Sequence, residues 1–242
     1  MRFKYLLFDL DGTILPMDMN IFLRAYLKLL SARLTAYLEP QLFIEHLMAA
    51  TATMIRDLNP NRTNAEVFMD DFFHRTGLPE AEVKAIFDDF YQRDFPTLAR
   101  FTQPTPLAPK IFDRALERGY ELVIATNPIF PRIAIEERLR WAGVGGYPFR
   151  LVTVYEEMHF CKPQLEYYSE ILAILGARPE ECLMVGNDVE EDLIAGQLGI
   201  ATFLVEDCLI NQKNLQIKAD YRGRLADLLN SEEIFGIGGE SK

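Results

Sequence analysis

The sequence has few cysteines and histidines, and no long apolar run. Its three cysteines, Cys161, Cys182 and Cys208, are far apart and form no CxxC pair, which excludes a disulfide framework and favours a reduced, cytoplasmic location. The three histidines lack the spacing of zinc ligands. No segment approaches the roughly 18 consecutive apolar residues that span a bilayer, and the apolar stretch near the start is too short for a secretion signal. We therefore expect no membrane span and no structural zinc.

Basic residues are also in the minority. The 242 residues include 25 Lys and Arg against 36 Asp and Glu, a net charge of −11, and the basic residues form no run. Binding to a nucleic-acid or anionic membrane surface requires a basic patch that releases counterions. We therefore expect neither as a partner, while the sequence leaves the oligomeric state open.

The apolar residues recur in short runs typical of buried strands. The runs are Tyr5–Leu10, Glu121–Thr126, Leu151–Val154, Cys182–Val185 and Thr202–Val205. Amphipathic stretches that end at glycine separate the later runs, and they predict helices over Ala108–Glu117, Arg132–Ala142 and Leu165–Leu175. Alternating strands and helices indicate an α/β fold with a doubly wound, Rossmann-like parallel sheet.

Residues 18–101 break this alternation. Their apolar residues recur at helical spacing, with prolines between the segments, and predict helices over Ile21–Leu38, Gln41–Leu58, Asn64–Thr76 and Glu80–Phe95. The sequence therefore predicts a core domain of residues 1–17 and 102–242 with an inserted all-helical domain, 18–101. Only the polar, glycine-containing end, residues 231–242, suggests disorder.

Two aspartates lie at the end of the first predicted strand, in YLLFDLDGTIL. Asp9 and Asp11 project to the same side of an extended chain, and ligands of parallel α/β sheets bind at the carboxyl ends of strands. Two adjacent carboxylates repel each other unless a cation or a shared proton relieves them. An Asp-Gly turn explains Asp11 and Gly12, but it leaves Asp9 without a role.

The stretch FDLDGTI resembles the first motif, DxDGT, of the haloacid dehalogenase superfamily of phosphotransferases and hydrolases, and its other motifs follow in order. The second, a Ser or Thr ending the next core strand, corresponds to Thr126 in ELVIAT, with Asn127 after it. The third, a lysine ahead of a helix, corresponds to Lys162, with Pro163 in the first helical turn. A Thr-Asn-Pro turn and a solvated lysine are common, so the identification depends on the order of the motifs.

The fourth motif is the acidic stretch LMVGNDVEEDLIAG. Asp188 and Asp192 are four residues apart, which predicts one face of a helix that begins at Asp188. Asp188 through Glu191 also fits a helix-capping pattern without any ligand. The family usually has Asp directly after the glycine, where this chain has Asn187. Either Asp188 or Asn187 is therefore a candidate ligand at this position.

The resemblance implies a phosphatase with a helical first-type cap, which hydrolyses a small phosphorylated metabolite through an aspartyl phosphate. Asp9 would be the nucleophile and Asp11 the acid and base, with a pKa raised towards about 6. Thr126, Asn127 and Lys162 would bind the phosphoryl group. Mg²⁺ would be held by Asp9, by the carbonyl of Asp11, and by Asp188 and Asp192, with Asn187 as the alternative.

Two other functions share these motifs. Mutases of the phosphoglucomutase type within the superfamily carry all four, and a non-catalytic descendant would bind phosphate without turning it over. A receiver-type signalling domain is disfavoured, because it is about half this length and carries its phosphoacceptor on a later strand. Five cap arginines are candidates for binding a second anionic group of a substrate, namely Arg24, Arg56, Arg62, Arg93 and Arg100.

Overall fold

The computed structural model describes residues 3–236 and contains one six-stranded parallel sheet. Its strands are β1 (Tyr5–Phe8), β2 (Glu121–Ile124), β3 (Phe149–Val152), β4 (Cys182–Gly186), β5 (Ala201–Val205) and β6 (Tyr221–Gly223). They lie in the order β3-β2-β1-β4-β5-β6, which is that of a Rossmann sheet. The predicted fold class is therefore confirmed. All strands are parallel, but their order reverses at β1: β2 and β3 lie on one side of it, and β4 to β6 lie on the other.

The helices form two groups, those of the inserted segment and those of the core domain. Those of the insert are α1 (Met19–Arg33), α2 (Pro40–Arg56), α3 (Asn64–Thr76) and α4 (Glu80–Arg93), followed by a 3₁₀ helix, Phe95–Phe101. Those of the core are α5 (Leu107–Glu117), α6 (Arg132–Trp141), α7 (Leu165–Leu175), α8 (Leu225–Asn230) and α9 (Glu232–Phe235). No helix within residues 3–236 is long and apolar enough to cross a membrane.

Helices cover both faces of the sheet, which is why its strands are apolar without interruption. In β1, Phe8 belongs to the core on one face, where its ring lies 4.8 Å from that of Phe112 in α5. The neighbouring Leu7 belongs to the core on the other face, together with Ile171 of α7. All four residues are buried. The alternation fixes the register of β1, and its end therefore delivers Asp9 to a defined place.

The inserted segment forms a helical cap with an aromatic core of its own. Phe43 of α2 packs edge-to-face on Phe72 of α3, with ring centroids 5.9 Å apart. Phe95 stacks on Trp141 of α6 at 5.3 Å, so the cap also packs against the core domain. Where the two domains join, the Gln103 amide donates to the carbonyl of Pro16 at 2.7 Å. The exact boundaries 1–17, 18–101 and 102–242 stay a prediction.

Several element boundaries differ from the sequence prediction. β1 ends at Phe8 rather than Leu10, and α1 ends at Arg33 rather than Leu38. The predicted helix at Asp188 is wrong, because turns lead into a 3₁₀ helix over Leu193–Leu198. Disorder is wrong for residues 231–236, which include α9 with Ile234 and Phe235 buried. The rest of that stretch, 237–242, lies outside the described residues.

Candidate active site

Asp9 lies directly after β1, at the reversal point of the sheet and beside the end of β4. Its amide donates to the carbonyl of Val185 at 2.9 Å, which holds the backbone in place. One carboxylate oxygen accepts from Lys162 Nζ at 3.0 Å and the other from Thr13 Oγ1 at 3.0 Å. The carboxylate is therefore oriented by two donors while the residue keeps 8% of its surface exposed.

Lys162 is fully buried between two carboxylates. Its ammonium donates to Asp9 Oδ1 and, at 2.6 Å, to Asp192 Oδ1. Burial alone would lower the pKa of this lysine, but the two carboxylates raise it well above its ordinary value. Lys162 is thus a fixed positive charge beside Asp9. The following proline is not in a helical turn, because α7 begins only at Leu165.

Asp11 is held by a different cation, Arg138 of α6. The guanidinium donates to Asp11 Oδ2, lies 4.4 Å from the ring centroid of Phe130, and is 1% exposed. Burial raises the pKa of Asp11 to about 6, the Arg138 charge opposes that rise, and the Asp9 carboxylate adds to it. The carboxyl group can therefore exist in both protonation states near neutral pH, as an acid and base requires.

The end of β2 brings Thr126 and Asn127 to the same cavity as Asp9. The Thr126 carbonyl accepts from the hydroxyls of Thr153 and Tyr167, at 2.7 and 2.9 Å, which fixes the backbone there. Asn127 accepts from the Lys162 amide at 3.2 Å and donates to Glu191 at 3.1 Å. The second and third motifs are thereby joined directly.

The fourth motif divides into side chains with different surroundings. Asn187 donates to the Cys208 carbonyl at 2.7 Å, which turns its Oδ1 towards Thr13 Oγ1, 2.8 Å away. Asp188 Oδ1 accepts from the amides of Glu190 and Glu191, which closes a local turn where the sequence predicted a helix cap. Asp192 is 1% exposed, and both its oxygens accept, one from Lys162 and one from the Asp188 amide at 2.9 Å.

The oxygen atoms beside Asp9 fit a hard cation such as Mg²⁺. Within residues 3–236 no three Asp, Glu, His or Cys side chains are grouped as metal ligands. However, the Asp9 carboxylate and Asn187 Oδ1 both lie within hydrogen-bond distance of the Thr13 hydroxyl. Asn187 also packs against the backbone of Gly12, where a Cβ would lie 2.5 Å from its Nδ2. Carboxylate, amide and backbone carbonyl oxygens are the ligands Mg²⁺ prefers. Asn187 is thus better placed for a metal than Asp192.

A cavity of about 1340 Å³ extends from this cluster into the cap. Asp9, Asp11, Thr126, Asn127, Asn187, Asp188 and Asp192 all line it. None of the five candidate arginines of the cap does: Arg62, for example, bonds Asp70 and the Glu66 carbonyl. The predicted site residues therefore meet at one place, and the predicted anion-binding arginines do not.

Three contributors were missed by the sequence interpretation. Arg138 was detectable, because a helical period of 3.6 puts it on the buried face of α6 with Ala134 and Ile135, where an arginine requires a partner. Thr13 is the last residue of the DxDGT motif, but the pattern alone gives its hydroxyl no partner. Glu191, whose pKa burial raises to about 7, had no such signal.

Comparisons with known proteins place this chain among hydrolases of known fold. The chain is 29% identical over 200 residues to the pyrimidine 5′-nucleotidase PynA of Streptococcus pneumoniae. The aligned region covers 81% of this chain and 80% of that one. Its fold matches a haloacid dehalogenase-type phosphatase from Thermococcus onnurineus, at a TM-score of 0.60 and 21% identity over 96% and 98% of the two chains. It also matches the hydrolase YfnB of Bacillus subtilis bound to magnesium, at 0.56 and 23% identity over 98% and 100%.

The similar structures include dehalogenases as well, so the fold alone does not separate the two chemistries. A family model described as haloacid dehalogenase-like hydrolase matches residues 3–199. Three curated relatives bear the names of a nucleotidase, a phosphatase and a pyrophosphatase, which favours the phosphatase branch. The chain belongs to the haloacid dehalogenase-like hydrolase family and is an enzyme of that family.

Proposed function

We propose that this enzyme is a Mg²⁺-dependent phosphatase that hydrolyses a small phosphorylated metabolite through an aspartyl phosphate on Asp9. The observation that carries the proposal is the Asp9 carboxylate, held by Lys162 and Thr13 at the reversal point of the sheet and open to a cavity. A carboxylate nucleophile divides a very slow hydrolysis into two easier displacements.

In the first step, a carboxylate oxygen of Asp9 attacks phosphorus and the bond from phosphorus to the substrate oxygen breaks. The protonated carboxyl group of Asp11 gives its proton to that leaving oxygen. The Thr126 hydroxyl and the backbone N–H of Asn127 donate to the phosphoryl oxygens. The Lys162 charge offsets the negative charge that accumulates. A bound Mg²⁺, held by Asp9, the Asp11 carbonyl and Asn187, would reduce the repulsion between the Asp9 carboxylate and the substrate phosphate, which are both anions.

In the second step, Asp11 takes a proton from a water molecule as that water attacks the phosphorus of the aspartyl phosphate. The bond between phosphorus and the Asp9 oxygen breaks, which releases phosphate and restores both carboxyl groups. Arg138 keeps the Asp11 carboxyl group in one orientation through both proton transfers.

The mutase alternative has less support. A mutase of this type handles a substrate with a second phosphate, which requires a cation in the substrate cavity. The basic side chains that line the cavity, among the residues described, are Lys84 and Arg132, and both form ion pairs with neighbouring glutamates. The non-catalytic alternative has less support too, since the nucleophile, the acid and base and the lysine are all present.

We also propose the cytoplasm as the location of the enzyme, with no nucleic acid and no membrane as partner. The cysteines support this location, because all three are free thiols and two of them, Cys161 and Cys182, are buried. The net charge of −11 supports the absence of polyanionic partners.

The test is release of phosphate from p-nitrophenyl phosphate, with Mg²⁺ and with EDTA, for the wild type and Asp9→Asn. We expect turnover that requires Mg²⁺ and disappears in Asp9→Asn. Turnover that survives in Asp9→Asn, or that EDTA leaves unchanged, would contradict the proposal. Near-ultraviolet circular dichroism of both proteins controls for folding.

A further inference from the structure

The cavity wall changes character with distance from Asp9. Next to Asp9 the wall is polar, but deeper in the cap it is mostly apolar and is formed by aliphatic, methionine and aromatic side chains, the last including Phe68 and Phe87. Leu23, Leu27 and Leu30 follow each other at helical spacing on α1, and Leu47 and Ile55 lie two turns apart on α2. The cavity is larger than the roughly 300–1,000 Å³ of most small-molecule sites. It therefore has room for far more than a phosphate group.

Three hydroxyl groups in the cap part of the cavity are bonded to other protein groups. The Thr51 hydroxyl donates to the Leu47 carbonyl at 2.9 Å, within its own helix. The hydroxyls of Tyr26 and Tyr91 bond each other at 2.9 Å. A substrate rich in hydroxyl groups, such as a sugar, would lose hydrogen bonds to water here and find few new ones. The apolar part of the cap wall therefore offers contact area rather than hydrogen bonds.

The charges around the cavity also disfavour a second anion. Lys84 is bound to Glu80 at 2.5 Å, and Arg132 to Glu157. Acidic side chains line the same space, among them Asp18, Asp88 and Glu136. Of the residues that the structure describes, none offers this space an unpaired basic side chain. An additional carboxylate or phosphate on the substrate would lose its hydration without gaining a partner.

We infer that the substrate is the phosphate monoester of a long, uncharged, largely aliphatic alcohol, with the phosphate at Asp9 and the chain between α1 and α2. This inference rests on the proposed function, because it assumes that phosphate is transferred to Asp9. It adds the chemical class of the group that carries the phosphate. Leucine and methionine side chains suit such a group, because they pack without directional bonds and methionine adapts its shape.

The test compares the kcat/KM of the wild-type enzyme for a panel of phosphate compounds that differ in the group carrying the phosphate. The panel contains methyl, butyl, octyl and dodecyl phosphate, 2-phosphoglycolate, glucose 6-phosphate and thymidine 5′-monophosphate, with acetyl phosphate as a reactive donor that has no chain. We expect kcat/KM to rise about two- to fourfold per methylene up to the length of the cavity, the gain of burying each methylene. Octyl phosphate should exceed the anionic and sugar phosphates by at least about a hundredfold.

The outcomes separate the inference from the function. Acetyl phosphate turnover that depends on Asp9, without any rise along the alkyl series, overturns the inference and leaves the proposed function standing. A preference for the nucleotide or for glucose 6-phosphate overturns the inference as well. Absence of turnover of every phosphate in the panel, acetyl phosphate included, overturns both.

A matched pair of variants on α1 locates the chain. Leu27→Asn puts an amide into the cavity wall, whereas Ile21→Asn changes a residue of the same helix that is 50% exposed and does not line the cavity. We expect Leu27→Asn to lower the octyl-to-acetyl phosphate ratio of kcat/KM about tenfold, and Ile21→Asn to leave it within twofold. Equal ratios in the two variants would contradict this placement, and thermal unfolding of both controls for folding.

Discussion

Lys162 balances the charge of two buried carboxylates at the candidate site. Replacement by methionine removes that charge and leaves Asp9 and Asp192 without their common partner. We expect Lys162→Met to lower kcat/KM at least about 10²-fold, through lost stabilisation of the phosphoryl charge. We also expect it to lower the free energy of unfolding at neutral pH by about 3–5 kcal/mol, the effect of an unpaired buried charge.

The double variant Lys162→Met/Asp192→Asn separates these two effects. It removes one of the stranded carboxylates, so urea unfolding should recover part of the lost stability while activity stays low. Recovery of activity together with stability would mean that Lys162 acts only on folding.

Asp11 predicts a pH dependence that varies with the leaving group. Its pKa, raised to about 6 by burial, means that its protonated fraction falls tenfold per pH unit above that value. For an alkyl phosphate, whose leaving oxygen requires the proton, kcat/KM should fall accordingly above pH 6. For p-nitrophenyl phosphate, which needs little assistance, it should stay nearly flat. Identical profiles for the two substrates would rule out Asp11 as the acid.

Arg138 supplies the control for this profile. Its charge lowers the pKa of Asp11, so Arg138→Met should raise that pKa and move the decline with alkyl phosphates to higher pH. Arg138→Lys keeps a positive charge and should shift the decline less. A profile that moves to lower pH in Arg138→Met would contradict the assigned electrostatics.

Single residues of the site were predictable where a motif fixed both their type and their place. Asp9, Asp11 and Lys162 follow that rule, because strand ends and the motif order locate them. The role of Arg138 depends on its contact with Asp11, which lies 127 residues away in the sequence. That these two side chains pair is visible only in the folded chain. The choice between Asn187 and Asp188 likewise depends on Thr13 and the local turn, which no pattern in the sequence specifies.

At the scale of elements, long periodic segments were predicted and short ones were not. The cap helices and five of the strands follow from apolar spacing, whereas β6 has only the three residues YRG and no apolar run. The motif-four segment has acids at helical spacing. The chain nevertheless turns there, because Asp188 accepts from two local amides and Asp192 is drawn to Lys162. A local turn and one tertiary ion pair thus replace the helix that the spacing predicts.

The first turn of α3 attaches the cap to the core domain. Asn64 is fully buried, and its side chain donates to the carbonyls of Pro128 and Phe160 at 3.3 and 3.2 Å. Asn64→Ala should weaken cap docking by about 1–3 kcal/mol, the usual effect of leaving buried carbonyls unpaired. We expect faster hydrogen exchange in α3 and a larger change in KM than in kcat.

Asn61 provides the matched control, because it is exposed and bonds only its neighbour Asn59. Asn61→Ala should leave exchange in α3 unchanged. Equal exchange in the Asn64→Ala and wild-type proteins would show that this contact does not hold the cap.

At the scale of the whole molecule, a bound metal should stabilise the fold by mass action. Mg²⁺ at 100 times its Kd would add about 2.7 kcal/mol to the free energy of unfolding. We expect the Mg²⁺-dependent rise in Tm to be lost in Asn187→Leu and kept in Asp188→Asn, because asparagine still caps the two local amides. Loss of the rise in Asp188→Asn alone would assign the ligand to Asp188 instead.

The phosphorylation of Asp9 is the central claim, and trapping the covalent state tests it most directly. The enzyme is quenched during turnover of p-nitrophenyl phosphate and treated with borohydride, which reduces an acyl phosphate to an alcohol. Peptide mass spectrometry then identifies the reduced residue. We expect homoserine at position 9 only when substrate and Mg²⁺ were present. Continued turnover with an intact aspartate at position 9, or reduction at another carboxylate, would contradict the account.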